Sequence, residues 1–169
     1  MSNLRATNQA QRFRVGRKMV IALSVYCTAF AGCAKSPKPT PLINGIASRQ
    51  SVQQIERLLQ PNGKPSPIDE SMILNTRSVA KYQHLGMSGT LTFFFFKNEL
   101  VSTTFEPSNF PKYKILLEKQ LGTSFKKQSG VRRGDTWIGI GGHPTRGRYA
   151  LWSDVPLSQE ADSWKSSHW

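Results

Sequence analysis

The sequence predicts an α+β fold, an antiparallel sheet with two short helices packed on one face. Three observations predict it. Two segments carry apolar residues at helical spacing between cap and stop signals. Around them lie β-branched and aromatic runs joined by short polar connections, the pattern of antiparallel hairpins. Neither kind of unit can bury its apolar face alone, which favours a single sheet carrying both helices on one side.

The chain opens with a segment that is not part of that fold. Five basic residues (Arg5, Arg12, Arg14, Arg17 and Lys18) precede an apolar run, and no acidic residue appears before Glu56. The run Met19–Ala31 has 13 residues with Ser24, Tyr26 and Thr28 inside it, too short for the ~20 apolar residues of a membrane span. A basic start, a short apolar stretch and a small-residue end have the order of a secretory signal peptide, expected over residues 1–32. Its last residues, Phe30-Ala31-Gly32-Cys33, resemble the lipobox of bacterial lipoproteins. That resemblance implies that the Cys33 thiol accepts diacylglycerol and that Cys33 becomes the N-terminus, its acyl chains (palmitate among them) holding the protein to a membrane. Ala34 at the next position implies sorting to the outer membrane, on the periplasmic face. Phe30 stands where Leu is usual, and Ala29-Phe30-Ala31 has the form of ordinary cleavage after Ala31, which would release a soluble periplasmic protein.

Without residues 1–32 the chain keeps 137 residues, enough for one domain with a real core and hardly enough for two. It also keeps 18 of the 23 basic residues and all 10 acidic ones, a formal net charge of +8. Cys27 falls in the removed segment and Cys33 is the lipid acceptor, so no disulfide is expected. Packing must supply the stability, with four Trp, nine Phe and four Tyr available along the chain.

Residues 33–44 include "KSPKPTP", three Pro in seven residues, and read as an extended tether ahead of a single domain at 45–169. The first helix is expected over Ser48–Gln60, with Val52, Ile55, Leu58 and Leu59 as its apolar stripe, a Ser51/Gln54 capping box and a stop at Pro61-Asn62-Gly63. "KPSPIDES" reads as a loop, and Val79 and Tyr82 hint at a strand within 72–85. Leu91–Phe96 and Leu100–Phe105 form a hairpin across Lys97-Asn98-Glu99. Its four successive Phe put two rings on each face, so the second face needs a covering helix or partner. The second helix follows in "SNFPKYKILLEKQLG", capped by Ser108 or Asn109, with Pro111 in its first turn, Tyr113, Leu116, Leu117 and Leu121 as its stripe, and Gly122 as its end. Asp135–Gly142 and Arg148–Asp154 are strands flanking a turn-rich connection, and the tail from Ser158 to Trp169 is expected to fold back through Trp164 and Trp169. The order helix, hairpin, helix, hairpin suggests a tandem repeat spaced by roughly 60 residues.

"GIASRQSVQQIERLLQPNG" followed by "LTFFFFKNELVSTTF" resembles small outer-membrane lipoproteins of the β-barrel assembly machinery, the SmpA/OmlA type, and the related β-lactamase-inhibitor-like fold. Gly45, Val52, Leu58, Leu59, Pro61, Phe95, Asn98 and Leu100 carry the likeness. Gln60-Pro61 stands where Gly-x-Pro is usual, and Glu99 replaces the turn Gly. The resemblance covers about 60 residues and implies an architecture and a binding habit, either assembly of an envelope complex or inhibition of an envelope enzyme.

Chemistry is sparse. His84 ends a strand, His143 sits in a Gly-Pro turn and His168 lies beside the C-terminus, with no pair at metal-ligand spacing. His143 could approach Asp135 or Asp154 only across a hairpin. "GIGGHPTRGR" lacks the Lys-Ser/Thr and the helix of a phosphate loop. Asp69-Glu70 read as a cap for the adjoining segment. No catalytic residue, metal or cofactor is expected, and a non-enzymatic binding protein is. Lys126, Lys127, Arg132 and Arg133 in one loop and Arg146 and Arg148 in another, beside Trp137 and Trp152, form a candidate binding surface. The expected partners are the membrane, through the lipid, and an envelope protein complex, with lipopolysaccharide or peptidoglycan behind them; export disfavours nucleic acid. Cys33→Ser should accumulate full-length precursor in immunoblots of cells expressing the chain; normal maturation of the variant would contradict the lipobox.

Overall fold

The computed structural model describes residues 38–168 apart from 61, 62, 72, 127 and 144–146. The elements run α1 (Val52–Leu59), β1 (Ser66–Glu70), β2 (Leu74–His84), β3 (Met87–Phe96), β4 (Glu99–Pro107), α2 (Phe110–Leu121), β5 (Gly130–Arg133), β6 (Thr136–His143), β7 (Gly147–Asp154) and α3 (Val155–His168). The strands form one antiparallel sheet ordered β1-β2-β3-β4-β7-β6-β5, so β4 and β7, the last strands after α1 and after α2, pair at its centre.

Both expected helices pack on the same sheet face. Val52, Ile55 and Leu59 of α1 and Tyr113 and Leu117 of α2 enter one cluster with Leu91, Phe93, Phe95, Phe105, Ile138 and Trp152 of the sheet. The Ser51/Gln54 capping box forms, and it starts α1 at Val52 rather than at Ser48. Leu58, expected in the stripe, is 49% exposed, because an eight-residue helix turns only three apolar positions toward the sheet. Asn109 caps α2 through the Lys112 amide at 3.1 Å, and Gly122 ends it in the left-handed conformation that only Gly adopts freely. The β3–β4 turn is made by Lys97 and Asn98, both at positive φ. That is the backbone a two-residue hairpin requires, and it leaves Glu99 on the strand, where no Gly is needed.

Four expectations are corrected. "KPSPIDES" contains β1, a fully exposed edge strand; Pro67 is tolerated there because one side of an edge strand needs no ladder partner. Arg132 and Arg133 lie on β5 rather than in a loop. The C-terminal tail is a 14-residue helix, α3, on the face opposite α1 and α2; Leu157, Ala161 and Trp164 set it against Phe96 and Val101. Trp164 and Phe96 rings stand 5.9 Å apart, so this helix covers one of the two outer Phe. Trp169 lies outside the described residues.

The fourth correction concerns the tether. Thr40 and Ile43 are buried, and Pro41 bridges Ala47, so the chain is already packed before residue 45. Asp154, 1% exposed, holds it there. Its carboxylate accepts the Thr40 hydroxyl at 3.0 Å, the Ser48 hydroxyl at 2.6 Å and the Leu157 amide at 3.0 Å. The Arg49 guanidinium Nε lies 3.9 Å away. One side chain thus ties the N-terminal strap, the end of β7 and the first turn of α3. Removing it leaves several buried donors without an acceptor, which is costlier than losing one exposed bond. Asp154→Ala should lower unfolding free energy by about 3 kcal/mol or more in urea denaturation. Asp135→Ala, whose exposed carboxylate pairs with Arg132 at 3.5 Å, should cost about 0.5 kcal/mol or less.

Candidate binding clefts

The expected basic surface divides among three places. Strand alternation sends neighbouring side chains to opposite faces. Trp152, opposite Ile138, lies in the helix-covered core, whereas Trp137, opposite Ser153 and Arg132, lies on the other face. Trp152 is therefore a core side chain, 3% exposed. Trp137 lies against the sheet, where a Cβ on Gly130 would come within 2.4 Å of its ring; Gly there lets the indole lie flat. Arg132 bonds the Gly134 carbonyl at 2.8 Å beside it. Arg133 points elsewhere and donates to the Leu121 carbonyl at the C-terminal end of α2, where a cation is favoured. Cys33, Lys127 and Arg146 lie outside the described residues.

Lys126 and Arg148 do come together. With Phe110, Lys114, Gln128 and Ile140 they line a cleft of about 570 Å³ between α2 and the β6–β7 end of the sheet. The Arg148 guanidinium sits 5.9 Å from the Phe110 ring centre, within cation–π range. Lys114 reaches Glu118 at 3.8 Å. Among the described residues no carboxylate lines the cleft. The sequence marks Phe110 only as part of the helix start, and its spacing from Arg148 cannot be read without the fold.

A second cleft, about 430 Å³, opens between the strap, the end of α2 and β6, and includes Asn44, Gln120, Arg133, Ile138, Trp152 and His84. His84, expected as a strand-end residue, is the buried polar centre of the core. Its Nδ1 is 2.6 Å from the Tyr113 hydroxyl. The Phe105, Tyr113 and Trp152 rings surround it at 5.7, 5.7 and 5.4 Å. Burial pushes its pKa down to about 4 and raises that of Tyr113. The phenol therefore keeps its proton and can donate it to a neutral imidazole. Among the described residues no Ser, Cys or carboxylate lines this cleft.

His143 and Asp135 stand at opposite ends of β6, about 25 Å apart at strand rise, and Asp154 opposes Thr136, so His143 meets neither. Asp69 and Glu70 lie in β1 rather than at a cap; Glu70 and Glu56 both hold Arg77, at 2.5 and 2.9 Å. Among the described residues no group of three His, Cys, Asp or Glu is placed to hold a metal ion.

A third concavity, about 470 Å³, runs between α3 and the outer sheet face, with Phe94, Phe96, Val101, Tyr149, Leu151 and Ala161 along it. Phe94, Tyr149, Leu151 and Trp137 remain half-buried on that face. No protein-family model and no curated protein significantly matches the chain.

His84 makes stability depend on pH. The folded state holds it neutral down to about 4, whereas the unfolded chain takes the proton near 6.5. Stability is therefore full above 6.5 and falls as pH drops from 6.5 toward 4. Urea denaturation should give about 2 kcal/mol less stability at pH 5 than at pH 7, and His84→Gln should remove most of that difference.

Proposed function

We propose that the protein is a non-enzymatic lipoprotein of the bacterial envelope, anchored through Cys33 on the periplasmic face of the outer membrane, whose domain is an accessory subunit of an envelope protein complex. The observation that carries this is the spacing between the lipobox and the fold. Thr40, the first buried position among the described residues, follows Cys33 by seven positions. At full extension that reaches at most about 25 Å. A lipid on Cys33 would keep the domain close to the membrane surface, where its partner must also lie.

The outer sheet face supports a protein partner. α3 covers Phe96 and leaves Phe94, Leu151, Tyr149 and Trp137 half-buried beside Thr and Ser side chains. Apolar rings within a polar surround are the composition of a protein interface. The α+β architecture is of the kind that the SmpA/OmlA-type resemblance implies.

Crosslinking in intact cells and purification from the membrane fraction test the reading. A defined set of envelope proteins should co-purify, and Phe94→Asp with Leu151→Asp should reduce their yield at least tenfold while the protein stays folded and membrane-bound. Recovery of a single soluble enzyme would favour an inhibitor, and an unchanged set of partners would remove the outer face from the account.

A further inference from the structure

We propose that the cleft between α2 and the β6–β7 end binds the phosphomonoester headgroup of an amphiphile. This site is separate from the outer sheet face and does not rest on the protein-partner reading. Three cations, Lys114, Lys126 and Arg148, line one cleft of about 570 Å³, and no carboxylate among the described residues lines it. Neither Lys126 nor Arg148 has an acidic partner among the described residues, and Lys114 holds Glu118 only at 3.8 Å. Like charges lining one cleft repel one another, and an anion placed between them relieves the repulsion.

The arrangement selects the kind of anion. Three cations suit a group carrying nearly two negative charges and several acceptor oxygens, which a phosphomonoester has and a carboxylate lacks. Arg148 supplies a planar donor fork, held near the Phe110 ring at 5.9 Å, and the two lysines supply point charges. Phe110, Phe125 and Ile140 are the apolar side chains of the wall, beside Gln128 and Ser129. Those apolar side chains offer nothing to a bare ion but would take the first carbons of an apolar body. The volume lies in the range of small-molecule sites.

Isothermal titration of the full-length chain in uncharged detergent micelles tests this. The probes are micelles doped with dioleoyl phosphatidic acid, micelles doped with dioleoylglycerol, and inorganic phosphate. Phosphatidic acid should bind at least tenfold more tightly than inorganic phosphate, and dioleoylglycerol should not bind. Lys126→Gln with Arg148→Gln should weaken phosphatidic acid binding at least tenfold, whereas Arg132→Gln, on the opposite face, should leave it unchanged. An equal loss in Arg132→Gln would make the attraction a general surface charge and overturn the site, as would full binding by the double variant. Inorganic phosphate binding as tightly as the lipid would overturn the amphiphile and leave the free anion as ligand.

Discussion

The buried carboxylate of Asp154 is the interaction on which the rest of the structure depends. It ends the strand that pairs with β4 at the centre of the sheet and caps the helix that covers the outer face. It also receives two hydroxyls from the strap that precedes α1. A buried anion is unfavourable until its lone pairs are filled. Filling them requires the strap, β7 and α3 to be in place together. Backbone bonds extend the same junction: Arg49 donates to the Leu100 carbonyl, Leu100 to the Gln50 carbonyl and Val155 to the Asp135 carbonyl. Arg49 also pairs with Glu99 at 3.1 Å, from a left-handed backbone position that the surrounding contacts hold.

Above this junction the core is aromatic. Phe105 and Tyr113 pack at 5.1 Å and share His84 between them, so the centre of the helix-covered face is a histidine kept neutral by rings. A single proton then joins β2 to α2 through the Tyr113 hydroxyl. The outer face is built differently. There α3 closes one side over Phe96, and the remaining surface mixes half-buried rings with hydroxyls. The two faces of one sheet are thus covered differently, one by α1 and α2 and the other in part by α3, while the basic cleft opens beside α2 on the first.

Much of the fold was legible in local patterns. The capping box at Ser51 and Gln54, the Asn109 cap with Pro111, and the left-handed Gly122 all act within one turn of chain. The four-Phe run also carried its message, because alternation alone demands a cover on both faces. Three features were hidden. β1 has no apolar alternation, since an exposed edge strand has no face to bury. β5 is four residues long and half basic, which reads as loop. α3 offers only Leu157, Ala161 and Trp164 at helical spacing among polar residues, and its cap is also the last residue of a strand. The basic cluster was legible as composition but not as geometry: strand alternation on β5 parts Arg132 from Arg133, and Lys126 shares a cleft with Arg148 only because α2 packs beside β7. His84 was hidden for the same reason, its surrounding rings coming from three other elements.

The central claim is that strap, sheet centre and α3 form one cooperative unit around Asp154. Native-state hydrogen exchange tests this most directly. The amides of Thr40, Ser48, Arg49 and Leu157, bonded to the Ser48 hydroxyl, the Thr40 carbonyl, the Leu100 carbonyl and Asp154, should open with one common free energy close to that of global unfolding. Free energies that differ widely, with the strap or α3 opening well before the central strands, would contradict it.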